Sequence, residues 1–114
     1  MRLEILLSCM NLRDDDIIGR SGIKSDTLVV NQCGEDGYRE FRHGEGDIRI
    51  FSVNDTGLTK SRNFAIRKST ADICLLCDDD EVFADRYEEG ILTAYKEMPE
   101  ADFIIFDIGN RRAR

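Results

Sequence analysis

The sequence predicts an α/β domain with a mostly parallel sheet, and three observations carry that prediction. Five apolar runs have the length of strands. Four of them are apolar almost throughout, the mark of strands covered by helices on both faces, and stretches with helical spacing separate most of them. At 114 residues, 41% of them hydrophobic, the chain is one compact domain with a modest core, or a piece of one.

The first strand is Glu4 to Cys9 (EILLSC). Asp14 to Arg20 opens a short helix whose acids lie at the positive N-terminal end. Thr27 to Val30 (TLVV) is the second strand, and Gly34 to Asp47, with four glycines, reads as a loop. Ile48 to Val53 (IRIFSV) alternates, which puts the third strand nearer an edge. Lys60 to Ser69 carries Phe64, Ala65 and Ile66 as a second helix, and Ile73 to Cys77 (ICLLC) is the fourth strand. The third helix has the plainest signal. Asp85 and Glu88 make a D-x-x-E start like a capping box, Tyr87, Ile91, Leu92, Tyr95 and Met98 follow at helical spacing, and Pro99 ends it. Phe103 to Ile108 (FIIFDI) completes the order β-α-β-β-α-β-α-β. This last run is apolar on both faces and expects cover on both sides; where cover is missing, an open strand edge favours self-association.

Charge excludes whole classes of partner. Acidic residues outnumber basic ones 23 to 16, a formal charge of −7, so the positive footprint needed for a nucleic-acid backbone or an anionic lipid surface is missing. No apolar stretch reaches the length of a membrane span, and the N-terminus has an apolar run too short and a flank too acidic for a secretory signal, which reads as cytoplasmic. Cys9, Cys33, Cys74 and Cys77 are read as buried, reduced cysteines. Although CLLC has the spacing of a zinc or redox pair, residues three apart on a strand point to opposite faces and cannot share a metal or a bond.

In an open α/β sheet, ligands bind outside the carboxyl ends of the strands, near the point where strand order reverses. Asn11 leaves the first strand, Asn31 and Gln32 the second, and Asp78, Asp79 and Asp80 the fourth, so three polar clusters line one edge. Four acids in a row, Asp78 to Glu81, repel one another. Carboxylates two apart on a loop can converge on one hard cation, Mg²⁺ or Mn²⁺, usually shared with substrate phosphates. The plainer alternative is a solvated acidic turn that caps the following helix. A calcium loop is excluded, because DDDEVFADRYEE has no glycine at its sixth position.

The stretch GLTKSRNFAIRKSTADICLLCDDDEVF, Gly57 to Phe83, resembles the core signature of the inverting family 2 glycosyltransferases of the GT-A fold. In that family a Gly-Leu-Ser/Thr-x-x-Arg-Asn-x-x-Ile helix leads into an apolar strand ending in Asp-x-Asp. EILLSCMN stands where the family has a strand ending in Pro-Thr-Tyr-Asn, and DTLVVNQCGEDG where it has one ending in Asp-Asp-Gly-Ser, so the resemblance spans Leu3 to Ile108. It implies a Rossmann-like GT-A nucleotide-diphospho-sugar transferase fold, here cut short on its C-terminal side, with residues 1–114 as the donor-binding half. The implied activity is inverting transfer of a sugar from a nucleotide-diphosphate sugar, a UDP-sugar favoured, to an acceptor the sequence does not identify.

The resemblance also implies roles. Asp78 and Asp80 match the Asp-x-Asp pair and hold the metal, Asp80 more directly, with Asp78 facing the ribose or the metal's waters. Asp79 between them joins the nucleotide-binding set. Arg62 and Asn63 match the helix motif, Arg62 adding a positive charge toward the nucleotide. Cys9, Met10 and Asn11 match the base-binding loop, with Arg13 beside them, while Cys9 lacks an activating base and is read as packing. Where the family usually carries an aspartate that pairs with the base, this chain has Asn31 and Gln32, which both donate and accept, so the base is left open. The carboxylate that deprotonates the acceptor is expected downstream, leaving the 114 residues without a catalytic base. Two other readings stand beside this one: a non-catalytic nucleotide- or metal-binding module, and a haloacid dehalogenase-type phosphatase, whose Asp-x-Asp nucleophile normally leaves the first strand.

Overall fold

The computed structural model describes residues 2–14, 16–79, 82–83 and 86–100. Along the chain come β1 (Leu3–Met10), α1 (Asp16–Arg20), β2 (Asp26–Gln32), β3 (Gly37–His43), β4 (Gly46–Val53), α2 (Leu58–Lys68), β5 (Ile73–Asp78) and α3 (Tyr87–Glu97). The five strands form one sheet in the order β3-β4-β2-β1-β5, parallel throughout except for β3 against β4. The expected last strand, Phe103 to Ile108, lies outside the described residues.

Strand periodicity divides the core into two layers. Ile5, Leu7 and Cys9 of β1, Val29 of β2, Ile48 and Ile50 of β4 and Cys77 of β5 face α1 through Ile17 and Ile18. Leu3 and Ile73 extend that face beneath α3, where they meet Ile91, Leu92 and Tyr95. On the other face Leu6, Leu28 and Val30 pack against Ala65 and Phe64 of α2. Each aliphatic side chain fully buried here contributes on the order of 1.5–3 kcal/mol. α2 lies close to the sheet because its inward positions are small: Ser61 and Ala65, one turn apart, are each 1% exposed.

This arrangement creates a switch point. From β1 the chain crosses through α1 to β2 on one side; from β4 it crosses back through α2, on the opposite face, to β5 on the other side of β1. The strand order therefore reverses between β1 and β5, and ligands of open α/β sheets bind outside the carboxyl ends of the strands at such a point.

Three expectations need correction. The stretch read as a loop, residues 34 to 47, contains β3, hydrogen-bonded to β4 from Gly37 opposite Ser52 to His43 opposite Gly46. An edge strand exposed along most of its length, with only Phe41 packed on the core, leaves no apolar run to read. Gly44, at φ 60, lies in the tight turn between His43 of β3 and Gly46 of β4. The third helix has Arg86 as its N-cap, in the left-handed region and without a side-chain cap bond, while Asp85 of the expected D-x-x-E start lies outside the described residues. Tyr87 supplies an anchor instead, its hydroxyl accepting from the Lys24 and Ser25 amides at 2.9 and 3.2 Å. Of the cysteines, all free, Cys9 and Cys77 are buried as expected, but Cys33 is half-buried and Cys74 is exposed. The opposite orientation of Cys74 and Cys77 is the one strand geometry demands. No helix among the described residues is long and apolar enough to cross a membrane.

Candidate functional site

The carboxyl ends of β1, β2 and β5 bring the sequence-derived residues to one rim, where α2 divides them. On its β5 side, Arg62 Nη2 stands 3.5 Å from Asp78 Oδ1, with 40% and 38% of the two side chains exposed. Arg62 Nε is buried and has no hydrogen-bond partner among the described residues. Beneath this pair Ser61 Oγ donates to Ser8 Oγ at 2.7 Å, fixing the helix to β1. Asn63, the next residue after Arg62, is turned about 100° away by the helical step. It lines a polar cleft of about 170 Å³ on the β4 side, together with Gln32, Val53, Asp55, Lys60 and Arg67.

The polar ends of β2 hold the rim together. Asn31, 7% exposed, accepts at Oδ1 from the Leu12 amide at 2.9 Å and from Cys9 Sγ at 3.9 Å, and its amide nitrogen donates to Ser52 Oγ at 3.4 Å. It thereby shapes the loop that leaves β1. Gln32, 5% exposed, donates from Nε2 to the Gly57 carbonyl at 2.8 Å and so pins the N-terminus of α2. Gly57 is that helix's N-cap at φ 110, a conformation open to glycine and rarely to other residues.

The β1 loop is turned outward. Met10 is 57% exposed, and Asn11, exposed in the left-handed region at φ 50, donates its amide to the Gln32 carbonyl at 3.0 Å. Arg13 and Asp79 are exposed. Cys9 points into the core, where burial, with the charge of Asp79 adding to it, pushes its thiol up to about 12. A thiol so protonated is packing and not a nucleophile.

Asp80 lies outside the described residues. Among the described ones no group of three or more His, Cys, Asp or Glu side chains is set to hold a metal. The hard oxygen donors at the end of β5, beside an arginine with an unsatisfied buried donor, fit a cation that completes its shell with water and substrate phosphates, as Mg²⁺ does. The acidic run follows β5, the fifth strand, whereas the phosphatase reading needs it after the first.

Sequence reasoning missed Ser8, Ser61 and Glu4. Ser61 and Ala65 at i and i+4 mark the buried stripe of α2, and Ser8 interrupts an apolar strand on the face that meets it, so both were readable.

The chain matches glycosyl transferase family 2 over residues 17–112, which takes in all of α1 but its first residue, both signature motifs and the acidic run, and begins after the β1 loop. No curated protein and no solved structure matches it. A match over most of the chain, on a mostly parallel five-stranded sheet of the Rossmann-like GT-A type, makes this chain a member of the family 2 glycosyltransferases.

Proposed function

We infer that this chain supplies the nucleotide-sugar-binding part of an inverting glycosyltransferase, its donor lying across the carboxyl ends of β1 and β5. Family membership gives the coarse function, glycosyl transfer from a nucleotide-sugar. The observation that carries the finer reading is the meeting of Arg62 and Asp78: one comes from the helix motif, the other from the acidic motif, and they stand 3.5 Å apart at the switch point. In this reading the diphosphate faces Arg62, and the base lies against the loop of Cys9, Met10, Asn11 and Arg13. Asn31 shapes that loop through the Leu12 amide and Gln32 holds α2 in register, so both serve the donor through backbone position. Asn63, on the far flank of α2, lies off the diphosphate side.

Asp78 and Asp80 hold a divalent cation, Mg²⁺ or Mn²⁺, which when bound supplies Lewis-acid stabilisation of the departing nucleoside diphosphate. Asp79, exposed beside them, keeps the rim electronegative. Calorimetry with a panel of nucleoside diphosphates, with and without Mn²⁺, tests the assignment. The expected result is metal-dependent binding, UDP strongest, with the metal dependence lost in Asp80→Ala. Equal binding by wild type and Asp80→Ala in Mn²⁺ removes Asp80 from the site.

A further inference from the structure

Arg62 is held weakly for a residue at the centre of a site. Its contact with Asp78, at 3.5 Å between two partly exposed side chains, is an ion pair of the kind that contributes little on its own. Its Nε, in contrast, is buried with no hydrogen-bond partner among the described residues, and an unmet buried donor is costly. The backbone beneath is fixed, because Ser61 is tied to Ser8 and Gly57 to Gln32. Any rearrangement is therefore confined to the Arg62 side chain, which gains a better partner by moving.

We propose that Arg62 is a handover residue. It offsets the charge of Asp78 until a divalent cation takes that carboxylate, and its guanidinium then turns to the nucleoside diphosphate. This rests on the donor-site reading above and adds the order of events within it. Two effects of opposite sign follow. Arg62 competes with the cation for the Asp78 carboxylate, so alone it weakens cation binding. Once displaced, it offsets phosphate charge, so it strengthens diphosphate binding. Cation and diphosphate consequently favour each other's binding, and part of that coupling runs through Arg62. A guanidinium fixed in place as a phosphate ligand would not move when the cation alone binds.

The test uses the whole 114-residue chain. Mg²⁺ is titrated without nucleotide while the Arg62 Nε–Hε signal is followed by ¹H–¹⁵N NMR, and Mn²⁺ affinity is measured by electron paramagnetic resonance for wild type, Arg62→Ala and Arg62→Gln. The glutamine variant keeps the comparison if the alanine variant does not fold. The expected result is a shift of the Arg62 signal with Mg²⁺ alone. Either variant should bind Mn²⁺ about two- to five-fold more tightly without UDP, the scale of an exposed ion pair, and UDP more weakly with Mn²⁺ present. Cation binding that leaves the Arg62 signal unmoved, or variants that bind Mn²⁺ no more tightly, overturns the handover and leaves the donor site standing. If neither wild type nor variants bind Mn²⁺, the handover and the metal assignment fall together.

Discussion

Two arginine–carboxylate pairs lie on the same face of the sheet at opposite ends of α2, and they are built for different ends. At the amino ends of the strands Glu4 is fully buried, accepting from Arg49 Nη2 at 3.0 Å and from Ser69 Oγ at 2.6 Å, with Arg2 3.6 Å away. Arg49 also reaches the Lys68 carbonyl at 3.5 Å, in the last turn of α2. At the carboxyl ends Asp78 and Arg62 are half-exposed, 3.5 Å apart, and Arg62 keeps a buried donor with no partner among the described residues. The first pair satisfies its charge internally and ties β1, β4 and α2 together. In the second, the Arg62 guanidinium has capacity left for a ligand. Saturation, and not the presence of charge, separates the structural pair from the functional one.

The largest effect should come from breaking the saturated pair. Removing one partner of a buried ion pair leaves the other uncompensated, at about 3–5 kcal/mol when both are sequestered. Arg49 keeps 24% of its side chain exposed, so Glu4→Ala is expected at the lower end, about 3 kcal/mol, in urea unfolding. Glu4→Gln, which still accepts from Ser69, should recover part of that. A loss under about 1 kcal/mol for Glu4→Ala would erase the distinction between the two pairs.

A smaller effect is expected at Gly57, where the fold meets the site. Its φ of 110 strains any side chain, yet an added Cβ meets nothing within 4 Å, so the cost is conformational with no clash. Gly57→Ala should lose about 1–3 kcal/mol by thermal or urea unfolding and weaken UDP binding, because Gln32 and the first turn of α2 depend on its carbonyl. Gly34→Ala, at a position with no positive φ and open space around it, serves as the control and should be neutral. Equal stability of the two variants would show that α2 starts without help from a glycine.

What was legible in the sequence follows the same division. Continuous apolar runs gave away β1 and β2 because parallel strands inside the sheet bury both faces; β5, at the edge, is as apolar yet buries Ile73 and Cys77 on one face and leaves Cys74 and Leu76 exposed on the other, and the switch point followed from where polar residues leave these strands. The meeting of Arg62 and Asp78 was legible only through the resemblance, since nothing in spacing alone brings a helix arginine to a strand end. Glu4 was not legible: its partners Arg49 and Ser69 are 45 and 65 residues away, and a buried carboxylate inside an apolar run looks like any strand residue. The ties that Asn31 and Gln32 make to the loops above them were not legible, because polar residues at strand ends look alike in sequence whatever they bond. Arg62 and Asn63 are one helical step apart, so their side chains leave α2 about 100° apart and Asn63 lines the cleft on the β4 side.

The smallest effect at neutral pH, and the steepest pH dependence, belongs to the contrast between Cys74 at the amino-end tie and Cys9 at the carboxyl-end rim. Cys74 is exposed and donates to Ser69 Oγ at 3.3 Å. Burial and then the charge of Asp79 push the Cys9 thiol from 9.0 up to about 12. The fold therefore prefers the protonated thiol. That contribution to stability is fully present below the unfolded value, near pH 9, and is lost as pH rises through about 12. Because only the thiolate attacks, iodoacetamide at pH 8 should modify Cys74 first and Cys9 at least about a hundred-fold more slowly in the folded chain, with the two rates converging in guanidinium. Mass spectrometry of peptides from a time course reads both rates at once. Fast modification of Cys9 under native conditions would mean that the β1 loop opens to solvent, so the rim around Asn31 and Asp79 would not be a preformed wall for a nucleotide.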